Sequence, residues 1–190
     1  MPGSGFRRAV ADVQRELRQI GLGVLVERVA IDRSWSLLDH GTGAVGLYIP
    51  GDGRCRCIGR IAIPAIALPL HNGFVYALRR CGFAGRTRTS LRFVLRHELA
   101  HGLAHWLGIL DRPGPPWGMG TCFTSYATIS AGEDLAETVA LHLTCQGRAP
   151  RRHLDQHLAA KWRAAGDLLH AGRRRCAARS ASPQPRGNTR

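Results

Sequence analysis

The sequence predicts an α+β domain on three observations. An amphipathic helical pattern comes first, three short β-rich runs follow within residues 24–63, and from residue 89 onward the apolar spacing is helical. At 190 residues and 44% apolar composition, the chain can bury one ordinary core but is short for two full domains. The expected organisation is a single domain over residues 1–172 and a basic, disordered tail over residues 173–190.

The first helix follows from Phe6, Val10, Val13, Leu17 and Ile20, spaced by three and four and stopped by Gly21. Residues 24–31, 44–50 and 57–63 read as strands, with glycine-rich turns after the first two. Residues 65–70 would add a short edge strand, since Pro69 cannot bond fully within a sheet. Thr89 or Ser90 caps a helix carrying Leu91, Val94, Leu99, Leu103 and Trp106, which ends near Gly108. A proline- and glycine-rich loop leads to a third helix from Ala131 to Gly147. A fourth, over residues 151–172, aligns Leu154, Leu158, Trp162, Ala165 and Leu169. The last eighteen residues have no apolar period.

The formal charge is +14, from 27 basic and 13 acidic residues. Of the basic residues, 26 are arginine and one, Lys161, is lysine. A coding bias explains that ratio more simply than a nucleic-acid surface does. Residues 148–190 hold 11 basic residues against Asp155 and Asp167, so +9 of the +14 lies there. Such charge attracts polyanions without naming one, and no established nucleic-acid motif accompanies it. Six cysteines show no CxxC spacing, which argues against a cysteine-built zinc site. Neither a secretory leader pattern nor a membrane-span pattern is present, so the expectation is a reduced protein made in the cytosol, with export by another route left open.

The most informative stretch is His97-Glu98-Leu99-Ala100-His101, inside the second predicted helix. A spacing of four puts both imidazoles on one helix face, one turn apart, where both can reach a single zinc ion. Glu98 points roughly 100° away from His97. That takes it out of the ligand set and beside a zinc-activated water, whose proton a carboxylate can accept. With 9 histidines and 5 glutamates in the chain, chance supplies only about 0.01 such patterns. His105 continues the four-residue series but lies about 12 Å from His97, too far to share one ion. It is expected to pack or to support a ligand.

A catalytic zinc needs a third protein ligand. Glu133 and Glu137, one turn apart on the third helix, are the candidates. The competing reading makes them, with Asp134, an acidic cluster that complements the helix dipole. Downstream of the histidine pair, the metal reading is the better one. The pair His153 and His157 has Asp155 between them and no further ligand cluster, which favours an exposed helical face.

Taken together, His97-Glu98-x-x-His101, Tyr126 and Glu133-Asp134-Leu135-Ala136-Glu137 resemble the gluzincin zinc metallopeptidases. The closer likeness is to the group containing the catalytic domain of anthrax lethal factor and small bacterial zinc-binding metallopeptidases. The resemblance covers roughly residues 87–146. It implies a zincin-like α+β fold with a small twisted sheet, the HExxH helix behind it and the glutamate helix opposite. It also implies one Zn2+ per chain on His97, His101 and Glu133, with Glu137 orienting a histidine, Glu98 as general base and Tyr126 as a hydrogen-bond donor to the transition state. The implied activity is hydrolysis of a peptide or protein substrate aligned on an edge strand within residues 57–68. Two other readings remain open: a basic nucleic-acid-binding protein with a structural metal or none, and a catalytically idle zincin that serves as a binding module.

Overall fold

The computed structural model describes residues 3–35, 46–51, 57–64, 90–149 and 154–181. Among them it shows a mixed α+β architecture of five α-helices and one three-stranded sheet. Helix α1 (Gly3–Gln19) buries Ala9, Val13 and Leu17 as its pattern requires. Gly21, at φ +83°, turns the chain while Leu22 N bonds Leu17 O at 2.8 Å.

The first departure from expectation follows. Residues 23–28 form a short helix, α2 (Gly23–Arg28), and strand β1 (Val29–Trp35) begins only afterwards. A short apolar run cannot distinguish a buried strand from a buried helical turn. Here Leu25 and Val26 reach the core from the helical form.

Strands β2 (Leu47–Pro50) and β3 (Gly59–Pro64) complete the sheet in the order β1-β3-β2. β1 runs parallel to β3, and β2 runs antiparallel to it. β3 is therefore central, with Ile61, Ala62 and Ile63 all buried. This corrects the expectation of a substrate-aligning edge strand within residues 57–68. A strand bonded on both sides has no free backbone edge to offer, and residues 65–68 lie outside the described part. So does the expected strand over residues 65–70.

The sheet packs through β2 and β3 on helix α3 (Ser90–Leu107). α3 is buried around most of its circumference, from Phe93 to Trp106, because α1, the sheet and helix α4 (Ala131–Thr144) enclose it. Arg92 and Arg96, one turn apart, pair with Asp12 and Glu16 on α1. Arg96 also donates to Thr144 Oγ1 at 3.2 Å, tying three helices together. Gly108, at φ +78°, ends α3 while Ile109 N bonds Ala104 O at 2.9 Å.

Helix α5 runs from Gln156 to Ala181, well past the expected end near residue 172. Asp155 caps it by accepting from Leu158 N at 2.9 Å, which gives the acid between His153 and His157 a structural job. The supposed tail is thus helical as far as Ala181. Ala165, Leu169, Gly172 and Cys176 continue one buried stripe, and a Cβ on Gly172 would lie 2.7 Å from Leu103 Cδ1. The stripe is hard to read because its later members are small and set among arginines. Arg175 adds a cation–π contact, 5.3 Å from the Trp106 ring centre. Residues 182–190 lie outside the described part. Among the described residues no helix is long and apolar enough to cross a membrane.

Deleting residues 173–190 should lower stability by roughly 2 kcal/mol, from lost burial of Cys176 and the lost Arg175–Trp106 contact. Urea unfolding of both chains measures this. Equal midpoints would show that the segment contributes nothing to the domain.

Candidate metal centre

The unbroken helix α3 places His97 and His101 on one face, with their Nε2 atoms 3.1 Å apart. Helix α4 brings Glu133 to that face from its first turn. Ser130 starts the helix there by accepting from Glu133 N at 3.1 Å. Glu133 Oε2 lies 2.9 Å from His97 Nε2 and 3.5 Å from His101 Nε2. Neighbouring ligands of a tetrahedral zinc with bonds of roughly 2.0–2.1 Å stand about 3.3 Å apart, so these three donor atoms fit one ion. Glu133 Oε2 is also buried with no aligned hydrogen-bond donor, so its lone pairs remain available to a cation. The His97, His101 and Glu133 group could hold a metal ion.

Close approach of α3 and α4 depends on small side chains: Ala100 and Ala104 on one helix, Ala136 and Ala140 on the other, all buried. One turn beyond Glu133, the completely buried Glu137 places Oε1 3.1 Å from His97 Nδ1. The contact is an ion pair off the line of an ideal hydrogen bond, since neither Glu137 oxygen has an aligned donor. In the neutral ring that a metal requires, a carboxylate there favours the proton on Nδ1 and frees the Nε2 lone pair on the side of Glu133 and His101.

Burial alone would lower the pKa of His97, but Glu133, Glu137 and Glu98 outweigh it and hold the ring at about 10. Burial alone would raise Glu133, yet the paired rings of His101 and His97 bring it down to about 2. The metal-free centre is therefore a charged cluster near neutrality. Glu98 is 5% exposed, and burial raises its pKa against the opposing pull of the two histidines. Its carboxylate rests at the start of β2, where a Cβ on Gly46 would come within 2.7 Å of Oε1. Tyr126 opens a 3-10 turn (Tyr126–Thr128) just before α4. Its ring stands edge-on to His97 with centroids 5.9 Å apart, and it remains 46% exposed. Burial and the charges of Glu133, Glu98 and Glu137 push its hydroxyl up to about 12.

The structure thus gathers His97, His101, Glu133, Glu137, Glu98 and Tyr126 into one locality. His105 is elsewhere, with Nδ1 2.8 Å from the Tyr48 hydroxyl. His157 packs over Gly120, and His153 lies outside the described residues.

Sequence reading missed the group that holds the Tyr126 segment. Asp134, expected to complement the helix dipole, is fully buried and pairs with equally buried Lys161 at 2.7 Å. Lys161 also donates to Thr121 O at 2.8 Å and contacts Cys122 Sγ at 3.3 Å, while Gly118 N donates to Asp134 Oδ2 at 2.8 Å. Residues 118–122 are clamped between α4 and α5 by this pair. The available signal was a single lysine among so many arginines.

No family model, curated protein or solved structure matches the chain.

Two outcomes follow for metal binding. Glu137→Gln should weaken affinity by about 10–100-fold while leaving one site, as measured by competition with a chelator. His97 carries a proton in the free protein below about pH 10, and a bound metal requires the neutral ring. Binding at pH 8 should therefore release about one proton, and affinity should rise with pH until that value is passed. Calorimetry in two buffers of different ionisation heat counts the proton. A count near zero would show that His97 is neutral before the metal arrives.

Proposed function

We propose that this chain is a zinc metallopeptidase of gluzincin type with a zincin-like fold. The observation that carries the reading is the convergence of His97, His101 and Glu133 donor atoms, beside a buried Glu98 that is outside the ligand set. Zinc held there would supply Lewis acidity, polarising a carbonyl and making water a stronger acid. The rest falls to the protein. Glu98, whose pKa is raised by burial, accepts a proton from the attacking water and returns it to the leaving amine. Tyr126, protonated at every working pH and half-exposed beside His97, donates a hydrogen bond to the developing oxyanion. Glu137 holds the His97 ring in its orientation.

A peptide is the substrate class that best suits this chemistry. The large apolar side chains exposed among the described residues, Met119, Tyr126 and Ile129, all lie on the segment leading into α4. They favour a substrate with an apolar side chain near the cleaved bond.

The deciding experiment is a peptide-library digest by zinc-loaded protein, with Glu98→Gln as the control. The variant should retain zinc and lose about 10²–10⁴-fold in kcat. Activity within threefold of wild type would remove Glu98 from the mechanism. Tyr126→Phe should cost about 10²–10³ in kcat with little change in melting temperature. A lower melting temperature at normal kcat would instead mark Tyr126 as a packing residue.

A further inference from the structure

Two features of α3 stand apart from the metal centre: His105, the third histidine, and Gly102, a glycine in the middle of a helix. A mid-helix glycine costs about 1 kcal/mol against alanine, so it needs a packing reason. Both features face the same side chain. Tyr48 of β2 lays its ring across α3. A Cβ on Gly102 would sit 3.1 Å from Tyr48 Cε2, and one on Gly59 of β3 would sit 2.3 Å from Tyr48 Oη. The ring occupies a slot that only glycines on both sides leave open.

The slot ends in a defined hydrogen-bond chain. Tyr48 Oη donates to Ile58 O at 3.1 Å and lies 2.8 Å from His105 Nδ1. A phenol has one proton to give. With that proton committed to Ile58, Nδ1 must carry the hydrogen of the imidazole and donate to Oη. The ring is thereby held from α3, and its hydroxyl is held from the residue preceding β3.

The backbone of the same residue meets the proposed base. The Glu98 carboxylate lies against the main chain at the start of β2: a Cβ on Gly46 would sit 2.7 Å from Oε1, and the Tyr48 backbone, two residues on, favours its charged form. Tyr48 therefore joins His105, by its side chain, to Glu98, by its main chain, across two turns of one helix.

We propose that His105 and Tyr48 are positioning residues, whose hydrogen bond fixes the start of β2 against α3 and so aims the Glu98 carboxylate. Aiming a base rests on the metallopeptidase reading. The mechanical link between His105 and the Tyr48 amide does not.

The test uses the full zinc-loaded chain with His105→Leu, His105→Asn and Tyr48→Phe. In the leucine variant kcat on a cleaved library peptide should fall about 10–100-fold, with KM and zinc content unchanged, because misplacing a catalytic group by about 1 Å costs about that much. Asparagine offers an N–H where Nδ1–H stood and should restore most of the loss. Hydrogen exchange at the Tyr48 amide should quicken at least tenfold in His105→Leu and slow again in His105→Asn. A purely structural role would lower the melting temperature and leave kcat per zinc-loaded molecule intact; that result overturns the proposal. So does unchanged exchange at Tyr48. If zinc-loaded wild type cleaves no peptide, the metallopeptidase reading fails, and the exchange rates alone decide the link between His105 and Tyr48. If His105→Leu does not fold, Tyr48→Phe removes only the hydroxyl and is judged by the same two measurements.

Discussion

Burial of carboxylates between two helices is the constraint on which the rest of this structure depends. Glu98, Glu133 and Glu137 crowd around two imidazoles at the α3–α4 seam, and Glu137 is wholly removed from solvent. Anions so placed cost several kcal/mol unless they are compensated. A proton on His97 provides part of the compensation, and a divalent cation would provide more. The seam itself closes only because alanines line it, so close packing and charge balance are one problem solved twice over the same few turns. A chain with a net charge of +14 surrounds this anionic interior. Its arginines instead brace α1 against α3 and stack on Trp106.

The candidate centre was more legible than the fold around it, for a physical reason. Helical spacing is rigid, so residues at i and i+4 share a face wherever the helix lies; His97 could be paired with His101, and Glu133 with Glu137, from their numbers alone. Bringing the two helices together needed tertiary packing that periodicity does not encode. The strands were harder. Residues 24–28 are short and apolar, and the core accepted them as a helical turn. The place of β3 in the sheet is a matter of long-range pairing, which local pattern does not specify. Past residue 172, α5 packs through Gly172 and Cys176, side chains too small to mark an apolar stripe. Tyr48 was invisible as anything but a strand residue, although Gly102 was a trace of its ring on the far side of the contact.

Asp134 shows how one functional group, the carboxylate, serves opposite purposes on one turn of helix. Its neighbour Glu133 faces the two imidazoles, and its Oε2, without an aligned donor, is placed to bind a cation. Asp134 is instead neutralised from within by Lys161 and held by the Gly118 amide. A compact ammonium with three donors suits that slot, where a carboxylate, a carbonyl and a thiol converge. The broad fork of arginine would need more room and a planar partner.

That burial has a practical side in the chemistry of labelling. Lys161 is the chain's sole lysine and is wholly inaccessible in the folded state. Acylating reagents that decorate most proteins at random would find no side-chain amine on this surface. An acyl group on Lys161 would be the signature of a molecule that had opened its core, so the residue is a built-in clock for excursions from the native state.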